Sequence, residues 1–161
     1  MAREHHFKAE IRWTGNKGSG TSSYEAYSRD HMIMGEGKQS ILSSSAPAFR
    51  GDPALYNPEE LLVASLSSCH MLWYLHLCAE AGVNVLEYTD KATGTMEVEK
   101  GGSGRFTEVI LHPEVTVTSE EMKEKALELH HGAHEKCFIA NSCNFPVNYQ
   151  PVCRVKQSAV I

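Results

Sequence analysis

Five cysteines are the residues of this chain with the clearest capacity for chemistry, and they lie at Cys69, Cys78, Cys137, Cys143 and Cys153. An odd number of widely separated thiols without a CxxC pair is not the pattern of a disulfide-stapled secreted domain. Under reducing conditions each thiol is an inert core residue, a metal ligand or a reactive group. The question is which of them the surrounding sequence activates.

Cys69 lies in residues 61–81, a nearly uncharged segment that is apolar on all sides and therefore predicts a helix buried in a protein interior. A free cysteine in such a helix is most often a small core residue. Cys78 follows nine residues later, and at about 100° per residue it lies on the opposite face. Cys69 and Cys78 therefore cannot serve one site, and we predict Cys78 and Cys153 as core residues.

Cys137 follows the run AHEK at the end of a second predicted helix. Lys136 and His134 would favour a thiolate there, whereas the carboxyl end of a helix would disfavour it. Local sequence leaves open whether Cys137 is a packed loop residue or a reactive one. Cys143, six residues further on, adds a competing thiol.

A rival set of ligands consists of His130, His134 and Cys137, which follow one another at positions i, i+4 and i+7 of one helix face. Histidines four residues apart are a common transition-metal spacing, and Cys143 or Cys69 could supply a fourth ligand. A solvated polar stripe is the simpler interpretation, because HxxxH without a glutamate base has little specificity. We therefore predict neither a metal nor a cofactor.

A hydrolase in which Cys69 is paired with a histidine is a weaker alternative. The adjacent His70 points about 100° away from Cys69 on a helix. Another histidine would have to be brought in by the fold, and the sequence singles out none.

Composition narrows the class of protein. The chain has 161 residues, 42% of them hydrophobic, which predicts a single globular domain over residues 1–161. A formal net charge of −5 argues against a nucleic-acid-binding surface. The first 25 residues lack an apolar signal core, and no stretch reaches the ~20 apolar residues of a membrane span. We expect a cytoplasmic protein that neither enters a membrane nor binds nucleic acid.

The elements that would position these thiols follow from periodicity and capping signals. Alternation in residues 7–13 and an extended pattern in residues 23–33 predict strands, and GEGK at 35–38 predicts a hairpin tip. Residues 43–55 contain too many breakers for a long element. Asn57-Pro-Glu-Glu60 is a capping box that opens the apolar helix, and Gly82 ends it.

Residues 84–99 and 105–118 again alternate, with GGSG between them, and predict a hairpin. The sequence Thr118-Ser-Glu-Glu121 predicts a second capping box and an amphipathic helix to about residue 136. Residues 137–144 are expected to be a loop and residues 145–160 a last strand. This order predicts an α+β fold with antiparallel sheets around a buried central helix.

Two segments resemble the OsmC/Ohr family of organic hydroperoxide resistance proteins: NPEELLVASLSSCHM at residues 57–71 and AHEKCFIANSC at residues 133–143. They contain a cysteine ten residues after the Glu59 carboxylate and a second cysteine 68 residues later in an AHxxC context. The resemblance implies an OsmC-like fold and an intertwined homodimer with active sites at the subunit interface.

The resemblance also implies roles for individual residues. Cys69 would be the peroxidatic cysteine and Cys137 the resolving one, while Glu59 would hold the guanidinium of an arginine. Arg29, in SRDH, matches the family's N-terminal arginine, and Arg50, in AFRGD, is the second candidate. The arginine would stabilise the thiolate and the leaving oxyanion. From the residues alone, Arg29 would more commonly be a strand cation paired with Asp30.

The implied reaction is the reduction of an organic hydroperoxide through a Cys69 sulfenic acid and a Cys69–Cys137 disulfide. Apolar residues such as Leu66 and Trp73 would favour alkyl or lipid hydroperoxides. A dithiol, such as a lipoyl group on a protein, would reduce the disulfide. Cys-Phe-Ile replaces the proline-containing turn that often follows the second cysteine in the peroxidase branch. A non-enzymatic OsmC-like stress or binding protein, including a metal-binding one, is the alternative from another class.

Overall fold

The computed structural model describes residues 3–157. The chain divides into two compact units between Leu62 and Val63. That the two units form the one domain expected for residues 1–161 stays a prediction.

The first unit contains a three-stranded antiparallel sheet in the order β1-β2-β3, formed by Glu10–Trp13, His31–Met34 and Ile41–Ser43. The predicted hairpin tip at residues 35–38 is confirmed, because it joins β2 to β3 and Gly37 adopts a φ of 71° that favours glycine. Residues 43–55 form the expected loop apart from the last residue of β3 and a 3-10 turn at Pro47–Phe49.

The extended run predicted for residues 23–33 is a strand only from His31 onward. Asp30 accepts hydrogen bonds from the Ser28 hydroxyl at 2.7 Å and the Ser44 hydroxyl at 2.9 Å. Such side-chain bonds offer the chain an alternative to a sheet ladder. They fold the preceding residues into a loop that contains Arg29, so the strand position expected for Arg29 is wrong.

The helix α1 spans Pro58–Glu80, as its capping signals predict. The Glu60 N–H donates to Asn57 Oδ1 at 2.9 Å, and the Asn57 N–H donates to Glu60 Oε2 at 3.3 Å, which is the reciprocal pair of a capping box. Gly82, with a φ of 71°, ends the helix.

Within one chain α1 buries a single stripe rather than its whole circumference. The buried residues recur every four positions: Leu66, His70, Tyr74 and Cys78. Leu72 on the other side is 64% exposed, so the expectation of burial all round is wrong for the isolated chain. By length and composition α1 is also able to cross a membrane, although the sequence was expected to contain no stretch long enough. Only 22% of the most apolar part of α1 is buried.

The second unit contains two three-stranded sheets, in the orders β4-β7-β9 and β5-β6-β8. Their strands are Val85–Asp90, Thr93–Val98, Gly104–Leu111, Pro113–Val117, Val147–Tyr149 and Val152–Val155, numbered β4 to β9. The predicted hairpin is confirmed for β5 and β6, but each predicted long strand is broken in two and β4 pairs with β7. The sheets are mixed, because β8 and β9 pair parallel to β6 and β7.

The helix α2 spans Lys123–Lys136 and follows a 3-10 turn at Glu120–Met122. The prediction of a second capping box is wrong. No side-chain cap bond forms at the start of the 3-10 turn or of α2, and the Thr118 hydroxyl donates to the Met122 sulfur at 3.3 Å. The amphipathic character predicted for this helix is confirmed. Ala126 and Ala133 are buried in the core beside Cys78 and Cys153.

The last predicted strand, residues 145–160, is interrupted. Pro151, which has no N–H to donate, lies between β8 and β9. Residues 158–160 of that prediction lie outside the described residues.

A hydroxyl on α1 ties the helix to the sheet edge beside it. The Ser67 hydroxyl donates to Asp90 Oδ2 at 2.6 Å, and Asp90 Oδ1 accepts the His112 N–H at 2.7 Å. Ser67→Ala is expected to lower the free energy of unfolding by about 1.5–3 kcal/mol, as for other hydrogen bonds to charged groups. Urea denaturation measures this change.

Ser68→Ala is the matched control, because the Ser68 hydroxyl donates only to the Ser65 carbonyl one turn earlier, at 3.2 Å. Equal stability of the two variants would contradict the role assigned to Ser67.

Candidate active site

The structure brings Cys69 and Cys137 together. Cys69 lies in the middle of α1, and Cys137 is the residue at which α2 ends. The Cys69 thiol lies close enough to Cys137 to influence the pKa of that cysteine, and both are free thiols. Two cysteines from separate helices thus form one thiol pair within the second unit.

The two thiols lie in different environments. Cys137 is 2% exposed, whereas Cys69 is half-buried. Burial, together with the neighbouring Cys69 thiol, raises the pKa of Cys137 to about 11, and the backbone N–H groups of Ala140 and Ile139 bond to its sulfur and oppose that rise. Cys137 is therefore a protonated, sheltered thiol, and Cys69 is the one that a substrate can reach.

Cys69 opens onto an apolar pocket with a volume of about 560 Å³. Its lining comes from α1 and the loop after Cys137: Ser65, Ser68, Cys69, Leu72, Trp73, His76, Phe138 and Ile139. Trp73 meets Phe138 edge to face at 5.5 Å and His76 at 5.7 Å between ring centroids. The pocket can hold an alkyl or aryl group against the Cys69 sulfur.

Trp73 lines this pocket as the sequence predicts, but Leu66 does not, because it belongs to the fully buried stripe of α1. Sequence reasoning missed Leu72 and His76. Leu72 lies three residues and His76 seven residues after Cys69, which places all three on one helix face. This spacing is the signal that could have identified them.

Arg29 is held within its own loop. Its guanidinium donates to the carbonyls of Tyr27 and Tyr24, each at 2.8 Å, and lies over both tyrosine rings at 4.3 and 4.1 Å. The expected pairing with Asp30 or Glu59 is not formed, because carbonyl oxygens and ring faces already satisfy the cation.

Arg29 and Glu59 belong to the first unit and the thiol pair to the second. The approach of Arg29 to Cys69 stays a prediction. Arg50, the second candidate, has a φ of 64° and pairs with Glu25 at 3.3 Å.

The metal alternative loses its geometric basis in the described residues. Between residues 3 and 157 no three His, Cys, Asp or Glu side chains are arranged to hold a metal ion. His130 instead bonds to His70, with its Nδ1 3.0 Å from His70 Nε2. The set His130, His134 and Cys137 is therefore not assembled.

The His70–His130 pair is fully buried. Burial is the main cause that lowers the pKa of His70 to about 4 and that of His130 to about 3. Both imidazoles are neutral at neutral pH. The sequence did not show this pair, because its two members are 60 residues apart and neither belongs to a known spacing.

Cys143 is half-buried, and its thiol donates to the Ile139 carbonyl at 3.3 Å. This bond holds the sulfur against the backbone of the loop that follows Cys137. The structure therefore gives Cys143 a local structural contact.

Comparison with known proteins points to one family. The family profile described as OsmC-like protein matches residues 51–150, which include both cysteines of the thiol pair. No curated protein sequence matches the chain.

Solved structures share the fold. An OsmC-like protein of unknown function from Vibrio cholerae has 35% sequence identity and a TM-score of 0.81, over 92% of this chain and 100% of that one. An organic hydroperoxide resistance protein from Elizabethkingia anophelis has 18% identity and a TM-score of 0.68, over 97% and 100% of the two chains. A protein from Legionella pneumophila, described as organic hydroperoxide resistance protein OsmC, has 14% identity and a TM-score of 0.64, over 96% and 100%.

Proposed function

Because the chain belongs to the OsmC-like protein family, we propose that it is a thiol peroxidase that reduces organic hydroperoxides to alcohols. The observation that supports the proposal most directly is the contact between the Cys69 and Cys137 thiols beside an apolar pocket. The similar proteins from Elizabethkingia anophelis and Legionella pneumophila are described as organic hydroperoxide resistance proteins.

In the first step the Cys69 thiolate attacks the outer oxygen of the hydroperoxide. The O–O bond breaks, the alkoxide takes a proton and leaves as the alcohol, and Cys69 becomes a sulfenic acid. The organic group lies in the pocket beside Trp73 and Phe138, where its burial contributes to binding.

In the second step Cys137 loses its proton and its sulfur attacks the Cys69 sulfur. The S–S bond forms, the S–O bond breaks, and the hydroxide leaves as water after it takes up a proton. The backbone N–H groups of Ala140 and Ile139 stabilise the Cys137 thiolate while it forms. A dithiol, for which a lipoylated protein is our candidate, then reduces the disulfide by thiol exchange.

We assign Arg29 as the cation that stabilises the Cys69 thiolate and the leaving oxyanion, with Glu59 as its partner. Arg50 is the second candidate. This role requires the Arg29 guanidinium to exchange its contacts with Tyr24 and Tyr27 for contacts with the site. Arginine suits the role because it keeps its charge and donates several hydrogen bonds at once.

The proposed assembly is a homodimer. Leu72 on α1 is 64% exposed and Phe138 beside the pocket is 67% exposed, although both are large apolar residues. A second copy of the chain that covers this face would bury them and shelter the pocket from water. One stripe of α1 is buried in the second unit, and we therefore interpret α1 as a core helix. We also propose a cytoplasmic location for the protein.

The test compares purified protein with cumene hydroperoxide and with hydrogen peroxide, each in the presence of a lipoyl dithiol. We expect faster consumption of cumene hydroperoxide, because only that substrate fills the apolar pocket. Trp73→Ala is expected to lower the cumene rate about tenfold, as for the loss of one to two kcal/mol of apolar contact, and to leave the hydrogen peroxide rate nearly unchanged.

His131→Leu, an exposed change on α2, is the control and should alter neither rate. If the wild-type protein consumes no hydroperoxide with any dithiol, the peroxidase proposal is wrong and the non-enzymatic binding protein becomes the better account.

A further inference from the structure

A buried polar contact joins the two helices that carry the thiol pair. His70 on α1 and His130 on α2 are both fully buried, with Nε2 of His70 and Nδ1 of His130 3.0 Å apart. Their rings are stacked at 5.3 Å, and Tyr74 stacks on His130 at 3.9 Å. This hydrogen bond is a directional contact between the two helices.

Stability alone does not account for the pair. Within the described residues, Nδ1 of His70 and Nε2 of His130 are buried without a hydrogen-bond partner. Each such unsatisfied group costs more free energy than one neutral hydrogen bond contributes. A buried polar contact of this kind is best understood as a device for specificity, like the buried asparagine that fixes the register of a coiled coil.

The position of the pair shows what its register controls. His70 directly follows Cys69, and His130 lies two turns before Cys137 on the same helix. A disulfide needs its two Cα atoms within about 7 Å and a narrow range of dihedral angles. A slide of one residue between the helices moves one thiol by about 1.5 Å along the axis and turns it by about 100°.

We propose that the His70–His130 hydrogen bond fixes the register of α1 against α2 and thereby positions Cys137 for attack on oxidised Cys69. This inference rests on the proposed peroxidase function. Both histidines are positioning residues, because the hydrogen bond that defines their role joins the two rings to each other. They act on the second step, in which the S–S bond forms and water leaves. The first step does not involve Cys137 and does not depend on the register of the two helices.

The test separates the two steps in a single turnover with one equivalent of cumene hydroperoxide. Dimedone trapping measures the Cys69 sulfenic acid, and quenched-flow alkylation measures the Cys69–Cys137 disulfide. His130→Leu removes the hydrogen bond, and His130→Gln restores a donor and an acceptor. Glu124→Gln is the exposed control on the same helix.

In His130→Leu we expect sulfenic acid to form at the wild-type rate and the disulfide to form at least about tenfold more slowly, as for other misplacements near 1 Å. His130→Gln should recover most of the lost rate, which a merely destabilising effect would not do. If His130→Leu fails to fold, the double variant His70→Leu/His130→Leu, which leaves no polar group unpaired, replaces it.

Two different results would overturn the positioning role and the peroxidase function. Disulfide formation at the wild-type rate in the leucine variants would overturn the positioning role and leave the peroxidase intact. A wild-type protein that forms neither sulfenic acid nor disulfide would overturn both.

Discussion

Cys69→Ser is expected to abolish hydroperoxide consumption, lowering the steady-state rate by at least about three orders of magnitude, as is common when a nucleophile is removed. Cys69 is the half-buried thiol that opens onto the pocket, and the serine hydroxyl is too weak a nucleophile to replace it. Cys137→Ser is expected to behave differently. It should complete one turnover and then stop with a sulfenic acid on Cys69, because the sheltered second thiol is missing.

Cys143→Ser is the control for these variants, because it removes a nearby thiol and leaves Cys69 and Cys137 in place. Its steady-state rate should equal that of the wild type. Full activity of Cys69→Ser would contradict the mechanism. Loss of activity in Cys143→Ser, with Cys137→Ser active, would transfer the resolving role to Cys143.

Acidification is expected to destabilise the folded chain between about pH 6.5 and pH 4, because two buried imidazoles resist protonation. The unfolded histidines titrate near a pKa of 6.5, whereas in the folded chain the pKa is about 4 for His70 and about 3 for His130. Burial is the main cause of both shifts. For His70 the neighbouring His134 adds to the shift and Asp90 opposes it.

The sign follows from proton binding. In this window the unfolded chain binds up to two more protons than the folded chain, so stability rises with pH and reaches its plateau above pH 6.5. The slope contributed by the pair approaches about 2.7 kcal/mol per pH unit, since one proton corresponds to about 1.36 kcal/mol per unit. Urea denaturation at fixed protein concentration, from pH 7 to pH 4.5, measures it.

The double variant His70→Leu/His130→Leu isolates the contribution of the histidine pair to the pH dependence of stability, because it removes both titrating groups and keeps the helices packed. Its stability should fall much less steeply with acid than that of the wild type. Equal slopes for the wild type and the double variant would show that the buried pair does not titrate as described.

The sequence predicted the helix ends whose hydrogen bonds join residues close together in the chain. The capping box at Asn57 and the terminator at Gly82 bound α1 as expected, because their hydrogen bonds lie within a few residues of each other. The same logic failed at Thr118, where a tertiary contact with Met122 takes the hydroxyl away from the helix end. The pairing of β4 with β7 joins distant segments and leaves no local trace.

The site shows the same division. Motif spacing identified Cys69 and Cys137 through a family resemblance, and the structure places their thiols in contact. The His70–His130 bond could not be predicted, because it depends on how two helices pack. The loop of Arg29 could not be predicted either, since the hydrogen bonds of Asp30 to Ser28 and Ser44 outweigh its strand-like sequence pattern.

The measurement that tests the central claim most directly is peptide mapping of the disulfide formed after the reduced protein receives one equivalent of cumene hydroperoxide. The thiol contact in the structure predicts a single cross-linked peptide pair that joins Cys69 to Cys137, with Cys78, Cys143 and Cys153 still free. A disulfide between any other two cysteines, or no disulfide at all, would contradict it.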